Sequence, residues 1–293
     1  MKTKQIIRCL LIVSLCCSAV PCSYPDDFLS NHRWQYFISK LNSNIQQFSG
    51  KVAIVVKDLN NDQTYSFNAD KPFVSASLIK LPIMVAVFKE FVESNISLTQ
   101  KFKLEDTYRV GGSGILKYKP SGSEYTIYEL SYIMIKESDN TAARMLTEIV
   151  GYERMNQIFK SIGLKDTNIS PKSFDLTNGE IAGDSYTTAR DISLLLTEIY
   201  NEKMFRRYLS QQMLAILKLP SRKKRLRKYL PENFELAHKT GLLRGACHDA
   251  GIVFSPHGNY LICVLTNNHG NYTQAKNFIS DVGKLTFDQL KKS

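Results

Sequence analysis

The order in which strand-like and helix-like segments follow each other restricts the fold of this 293-residue chain more than any other feature. A β-branched run at 51–59 lies near its start, with a shorter strand pattern at 63–68. After Pro231 the pattern returns in three segments, at 235–239, 251–255 and 260–265. Helical periodicity dominates the residues between, which predicts an α+β fold. Its antiparallel sheet is built from the N- and C-terminal segments and flanked by helices, and the helical middle forms a lobe.

Several segments repeat apolar residues at helical spacing and are predicted as helices. They are 26–48, 77–93 and a final helix with Ala275, Phe278, Ile279, Val282 and Leu285 on one face. Pro82 lies inside the second of these and is expected to remove one backbone hydrogen bond and bend the helix slightly. Thr126 with Glu129 forms a capping box, and Thr188 with Asp191 begins another helix in the equivalent way.

The residues from Gly163 to Tyr186 form a long stretch without a clean period. A segment of this length inside a compact domain usually has a function of its own. We therefore expect this loop to take part in what the protein does.

Ser77 and Lys80 are the first pair of residues that suggests chemistry. In an S-x-x-K sequence at a helix start, the amine lies one turn from the hydroxyl and on the same face. A lysine at its ordinary pKa of roughly 10.4 cannot accept the serine proton near neutral pH. The apolar neighbours of Lys80 and the cation of Lys239 are expected to lower that pKa, because burial and a like charge both disfavour the ammonium form. Ser77 is therefore predicted to be a nucleophile with Lys80 as its base.

Two further triplets follow this pair along the chain. Ser138-Asp139-Asn140 lies between two predicted helices, and Lys239-Thr240-Gly241 closes a late strand. Any one triplet occurs often by chance, but three in this order and in suitable secondary structure are specific. We expect them to meet in the crevice between the lobe and the sheet. The five histidines show no metal-ligand spacing, so neither a metal nor a cofactor is expected.

The first 22 residues differ in composition from the rest of the chain. Lys2, Lys4 and Arg8 precede an apolar run from Cys9 to Val20, which is typical of a secretory signal peptide and short for a membrane span. Residues 1–22 are thus predicted to be a signal peptide, residues 23–293 a catalytic domain, and the protein periplasmic or secreted. An uncleaved anchor and a lipid-attachment site are the alternatives, although Pro21 before Cys22 fits lipid attachment badly.

The formal net charge of +11 is concentrated partly in the basic run from Arg222 to Lys228. Such a run suggests nucleic acid in a cytoplasmic protein, but export argues against that partner. We expect the run to form a solvated helix or loop face, with contact to an anionic envelope surface as the alternative.

Four of the six cysteines lie in or beside the signal segment, which leaves Cys247 and Cys263. These two fall in a predicted hairpin, in a register that separates them by several residues along the strands. That separation is too large for a disulfide, so two free thiols are expected.

The three triplets together resemble those of class A serine β-lactamases and the wider group of penicillin-recognising serine hydrolases. The resemblance extends over about residues 26 to 290 and includes Gly112-Ser113-Gly114 ahead of the second triplet. It implies a β-lactamase/transpeptidase-like fold, a small-molecule β-lactam as the substrate and no cofactor. It also implies a monomer without a nucleic-acid partner or any membrane association beyond the export signal.

The resemblance assigns catalytic roles to individual residues. Ser77 is implied to be the acylated nucleophile, with Lys80 as its base partner. Ser138 is implied to relay the proton to the departing lactam nitrogen. The backbone N–H groups of Ser77 and Leu242 are implied to form the oxyanion hole.

The resemblance also assigns residues that bind the substrate. Asn140 is implied to bond the substrate side-chain amide and Lys80. Lys239 and Thr240 are implied to hold the substrate carboxylate, with Gly241 permitting close approach of the backbone to the ligand.

One part of the class A pattern is missing. In that family the long loop carries a Glu and a downstream Asn that activate the deacylating water, but no E-x-x-L-N sequence occurs at 169–180. Asp175 and Glu180 lie there without the expected neighbours. Asp175, Glu180 or neither is the deacylation base. The alternative for each is an ordinary solvated acid of the loop.

Two functions therefore stay open at the level of sequence. The first is a β-lactamase that turns over. The second is a slow-turnover penicillin-binding or sensor protein, or a cell-wall peptide acyl hydrolase, that is acylated without efficient deacylation.

Overall fold

Helices and strands occupy most of the residues that the structure describes. The computed structural model of the protein describes residues 26–174, 176–177, 180–181, 185–218 and 224–290. The helices are α1 (Asp26–Gln47), α2 (Lys80–Val92), α3 (Ile127–Lys136), α4 (Asn140–Val150), α5 (Tyr152–Ser161), α6 (Ala189–Tyr200), α7 (Arg207–Leu217) and α8 (Tyr272–Leu290). The strands are β1 (Lys51–Asp58), β2 (Thr64–Phe67), β3 (Phe73–Val74), β4 (Lys101–Lys103), β5 (Glu124–Thr126), β6 (Leu176–Thr177), β7 (Glu180–Ile181), β8 (Tyr186–Thr187), β9 (Glu235–Leu243), β10 (Ala246–Phe254) and β11 (Tyr260–Asn267).

The largest sheet unites both ends of the chain in the order β2-β1-β11-β10-β9, and its pairings are antiparallel. This arrangement confirms the predicted α+β architecture. Side chains of β1 alternate between the two faces of the sheet. Ile54 and Val56 belong to the core formed with α1 and α8, whereas Ala53 and Val55 belong to the core under the helical lobe. Burial on both faces explains why β1 has a nearly continuous β-branched sequence.

The lobe is organised around α2. Its residues from Lys80 to Phe88 are all buried, as expected for a helix enclosed by other elements. Helices α3 to α7 pack against it. The 3-10 turn Ala76–Ile79 that leads into α2 is contacted by both β9 and β10. The start of α2 is therefore the point where the lobe meets the sheet.

Three local predictions were wrong. Ser77 lies in the 3-10 turn, and the α-helix begins only at Lys80. Pro82 is then in the first turn of the α-helix, where a missing N–H costs no α-helical bond, so the expected loss of one backbone hydrogen bond does not occur. The third triplet does not close its strand, because β9 continues beyond it to Leu243.

Two other local predictions are confirmed. The Thr126 side chain accepts a hydrogen bond from the backbone N–H of Glu129, and the Glu129 carboxylate accepts one in return, which completes the capping box. Cys247 and Cys263 are both free and buried. They lie on neighbouring strands, where Cys263 faces Ala250 rather than Cys247.

Candidate active site

Ser77 and Lys80 are brought together at the start of α2. The Nζ atom of Lys80 lies 3.1 Å from the Oγ atom of Ser77. Ala76, immediately before the serine, has a left-handed backbone with φ of 45°, a conformation that is costly for a residue with a Cβ. This turn places the serine at the head of the helix, where the first N–H groups have no intrahelical acceptor.

Lys80 is almost completely buried, and its amine is surrounded by protein oxygen atoms. Its Nζ atom lies 2.6 Å from the Ser138 carbonyl oxygen, 2.6 Å from Asn140 Oδ1 and 3.3 Å from Ser138 Oγ. Burial and the nearby Lys239 cation hold the pKa of Lys80 well below its usual range, against the opposing charge of Asp139. A neutral amine donates to the two carbonyl oxygens and keeps its lone pair. That lone pair is then available to the Ser77 hydroxyl.

The second triplet is fixed by its central residue. Asp139 is fully buried, caps α4 by accepting the N–H of Ala142 at 2.9 Å, and also accepts the N–H groups of Ile115 and Leu116 at 2.6 and 2.8 Å. Gly114 packs so tightly on Asp139 that any Cβ would collide with it. The loop before the triplet is thereby fastened to it, which explains the glycines that the sequence places there.

Ser138 bridges the two lysines. Its φ of 51° is left-handed, and strain of this kind costs about 1–3 kcal/mol. In return, Ser138 Oγ lies 2.9 Å from Lys239 Nζ and 3.3 Å from Lys80 Nζ. Lys239 also donates to the Thr240 carbonyl oxygen at 3.0 Å. The side chains of the two lysines and the Ser138 hydroxyl thus form one connected path for a proton.

Lys239 has an altered basicity of its own. Burial and the Arg225 guanidinium lower the pKa of Lys239 to about 7, while Asp249 acts in the opposite direction. An anion bound beside Lys239 would restore its proton, since an opposite charge favours the ammonium form. The site is therefore prepared for an anionic ligand.

A cleft of about 420 Å³ opens beside this network. Ser138, Lys239, Thr240 and Leu242 line it, and so does Arg225. A larger cavity of about 720 Å³ lies between α1 and α8, but the three triplets contribute no residue to its lining. We take the smaller cleft as the candidate active site because, of these two, it alone is lined by a lysine with a lowered pKa, Lys239.

Arg225 is the site residue that sequence reasoning missed. The basic run was expected to be a solvated face, yet the Nε atom of Arg225 is buried without a hydrogen-bond partner and its backbone φ is 54°. The neighbouring N–H of Leu226 donates to Asp249 at 3.2 Å, which holds the turn against β10. Arg222 and Lys223 lie outside the described residues. The basic composition of the run does not distinguish Arg225 from its neighbours. Its position depends on the contact between Leu226 and Asp249, which are distant in the sequence.

The third triplet lies along the edge strand of the sheet. A Cβ at Gly241 would come within 3.3 Å of Ala76 Cβ, so glycine allows β9 to approach the turn that carries Ser77. The Thr240 carbonyl points away from the neighbouring strand and accepts a hydrogen bond from Lys239 Nζ. Since backbone groups alternate sides along a strand, the N–H of Leu242 points to the same edge. Leu242 itself is 47% exposed.

The structure thus brings Ser77, Lys80, Ser138, Asn140 and Lys239 into one hydrogen-bonded network. The other three predicted residues follow Lys239 along β9. The two predicted candidates for the deacylation base cannot be placed, because Asp175 and the side chain of Glu180 lie outside the described residues, as does the predicted signal segment 1–22.

Among the described residues, no group of three or more His, Cys, Asp or Glu side chains is placed to hold a metal ion. Within these ranges, no helix combines the length and apolar character needed to cross a bilayer.

The sequence and the fold both match known proteins. Residues 37–290 match the Beta-lactamase enzyme family. The β-lactamase VEB-1 of Pseudomonas aeruginosa is 23% identical over 88% of this chain and 92% of its own. A β-lactamase structure from Sphaerobacter thermophilus has a TM-score of 0.80 at 26% identity, and covers 89% of this chain and 98% of its own.

A second solved structure is a PBP-A variant described as an acyl-enzyme complex with penicillin G. It is 25% identical, has a TM-score of 0.78, and covers 94% of this chain and all of its own. The chain described here belongs to the β-lactamase enzyme family, and the resemblance to class A serine β-lactamases is confirmed.

Proposed function

We propose that the protein is a serine hydrolase that opens β-lactam rings through an acyl-enzyme on Ser77. The observation that carries the proposal is the position of Lys80, a buried amine with a strongly lowered pKa, 3.1 Å from the Ser77 hydroxyl. A base with this basicity matches the need to deprotonate a serine near neutral pH. Membership of the β-lactamase family supports the same chemistry.

Acylation follows from this geometry. Neutral Lys80 takes the proton of Ser77 while Oγ attacks the lactam carbonyl carbon and a tetrahedral oxyanion forms. The C–N bond then breaks, and Ser138 gives its proton to the lactam nitrogen and regains one from Lys80, 3.3 Å away. The N–H groups of Ser77 and Leu242 stabilise the oxyanion, at about 3 kcal/mol for each donor.

Substrate capture depends on the cations of the cleft. Lys239 and Arg225 attract the carboxylate of the β-lactam, and the Thr240 hydroxyl donates to it. Asn140 is already engaged on both sides, accepting from Lys80 at 2.6 Å and donating to the Gly111 carbonyl at 2.9 Å. Its second amide hydrogen remains for the side-chain amide of the substrate.

Release of the acyl group needs a water molecule and a base to activate it. The absence of E-x-x-L-N from 169–180 favours a second candidate function, a penicillin-binding or sensor protein that holds its adduct. The similarity to PBP-A, whose variant was captured with penicillin G, supports this alternative. In both cases we propose that the protein acts outside the cytoplasm, periplasmic or secreted, because of the signal-like segment 1–22.

One experiment separates the two functions. The protein is mixed with a chromogenic cephalosporin, and released product is followed by absorbance while the intact protein mass is recorded over time. A β-lactamase gives many product molecules per protein and little adduct. A slow-turnover binding protein gives a burst of about one product molecule per protein and a lasting adduct. A protein that gives neither released product nor adduct would refute acylation altogether.

A further inference from the structure

His248 is a fully buried histidine of β10 that none of the three triplets includes. Its Nε2 atom lies 2.8 Å from the Val74 carbonyl oxygen, and its Nδ1 atom lies 3.2 Å from the Thr266 backbone nitrogen. A carbonyl accepts and a backbone N–H donates. The ring is therefore neutral, with its proton on Nε2, and both nitrogens are satisfied only in that form.

The ring also contacts the strand that carries the third triplet. His248 faces Gly241 in the register of β10 and β9. A Cβ at Gly241 would lie 3.1 Å from the Cδ2 atom of His248 and 3.3 Å from the Cβ atom of Ala76. Gly241 is thus held between the imidazole ring and the turn before the nucleophile.

These contacts connect His248 to both oxyanion donors. Val74, whose carbonyl accepts the hydrogen bond from Nε2–H, is followed after two residues by Ser77, whose N–H is one donor. Gly241, which rests on the ring, is followed directly by Leu242, whose N–H is the other. One rigid side chain therefore touches both backbone segments that the proposed chemistry needs at a fixed separation.

We infer that His248 is a positioning residue for acyl transfer, and that its ring sets the distance between the N–H groups of Ser77 and Leu242. The inference rests on the proposed function, since it assigns the oxyanion hole of that reaction. A two-donor hole works only when both donors lie near 2.7–3.1 Å from the oxyanion. Misplacement by about 1 Å is enough to cost roughly 100-fold in rate.

The test uses two variants and two controls. His248→Phe keeps a ring but removes both hydrogen bonds, whereas His248→Gln retains an N–H able to reach the Val74 carbonyl. Phe73→Leu changes a buried ring that packs edge-on against His248, at 6.5 Å between centroids, and controls for loosened packing. His257→Gln, in an exposed turn, is the neutral control.

Each protein is measured for the inhibition constant of an arylboronic acid, whose tetrahedral adduct with a serine places an oxygen in the oxyanion hole. Thermal unfolding midpoints show that the variants are folded. We expect about 10- to 100-fold weaker inhibition in His248→Phe, a smaller loss in His248→Gln, and values close to the parent for both controls. Acylation by the cephalosporin should slow in the same order while the affinity for non-covalent capture holds.

Three outcomes would overturn the inference. The first is a folded His248→Phe that matches the parent in boronate affinity. The second is a Phe73→Leu that loses as much affinity as His248→Phe, and the third is a parent that binds no boronate. A parent that binds the boronate but is never acylated by the cephalosporin refutes the proposed function instead, so the two failures are distinguishable.

Discussion

The cluster around Lys80 and the loop from Gly163 to Tyr186 both adjoin the nucleophile segment, but they are built from different kinds of interaction. The cluster joins two buried lysines with lowered pKa values through the Ser138 hydroxyl. The loop reaches the nucleophile segment through backbone, where the Ser75 N–H donates to the Ser185 carbonyl at 2.7 Å. The Lys80 cluster contains titratable groups between which a proton can move. The described part of the loop instead makes hydrogen bonds that fix its own backbone.

The anchors of the loop support this contrast. The Asn156 side chain accepts the Ile169 N–H at 2.9 Å and donates to the Ile169 carbonyl at 3.0 Å. Asp191, which is buried, accepts the N–H groups of Lys165 and Asp166. A carboxylate at the root of the loop is thus committed to the backbone. Under the proposed function, capture of an acyl group would depend on the Lys80 cluster and its release on the loop, so that one could be present without the other.

Removing the proposed nucleophile should abolish acylation completely. Ser77→Ala is expected to lower cephalosporin turnover to background and to abolish the mass adduct, because it removes the proposed nucleophile, whose Oγ lies 3.1 Å from Lys80 Nζ. Ser121→Ala, an exposed serine of the lobe, is the matched control and should retain parental activity. An adduct of unchanged yield in Ser77→Ala would place the chemistry elsewhere.

Variants of the two loop acids test how the acyl group is released. If Asp175 or Glu180 activates the deacylating water, its amide variant should trap the acyl-enzyme, with decay slowed about 10²–10⁴-fold. Asp175→Asn and Glu180→Gln are made separately, and loss of the adduct is timed by intact mass. We expect the larger effect from Asp175, because it follows the buried Phe174, whereas Glu180 follows a glycine. A parent adduct that lasts for hours would show that neither acid is a base.

Lys239→Ala tests binding rather than bond making. The substrate carboxylate is present before and after acylation, so the loss should appear mainly in KM. A charge-assisted hydrogen bond contributes about 1.5–3 kcal/mol, or roughly 10- to 100-fold. Since the pKa of Lys239 is lowered to about 7, the free enzyme loses this cation as pH rises through 7. The KM of the parent should rise over that range, and the KM of Lys239→Ala should stay flat. A collapse of kcat at constant KM would mean that Lys239 instead tunes Lys80.

The smallest effect concerns stability at acid pH. Burial lowers the pKa of His248 from 6.5 to about 4. The unfolded chain takes up a proton near pH 6.5 and the folded protein does not, so folding stability is lost as pH falls from 6.5 toward 4. At about 1.4 kcal/mol per pKa unit, the parent should lose roughly 2 kcal/mol more than His248→Gln between pH 7 and 4.5. Urea unfolding at the two pH values measures this difference, and parallel losses would contradict it.

Much of the fold and the network was predictable because the relevant signals are local. The β-branched run of β1, the capping box at Thr126 and the S-x-x-K spacing each depend on neighbours a few residues away. The lowered pKa of Lys80 also followed from its apolar neighbours and Lys239. These features needed no knowledge of how distant segments pack.

What could not be predicted depends on contacts across the fold. Arg225 turns into the cleft because Leu226 bonds to Asp249 on β10. His248 gains its place from a carbonyl in β3 and a glycine in β9. The 3-10 turn at Ser77 forms where β9 and β10 press against the start of α2. Neither Arg225 nor His248 carries a local sequence pattern that distinguishes it from a surface or core residue, and the S-x-x-K spacing of Ser77 does not specify a 3-10 turn.

The most direct test of the account is the location of the acyl group. The parent protein is incubated with a penicillin, quenched in acid, digested and mapped by tandem mass spectrometry. We expect any penicilloyl group to lie on the peptide that contains Ser77, localised to that serine. A group found on any other residue, or consumption of the penicillin by Ser77→Ala at the parental rate, would contradict this assignment.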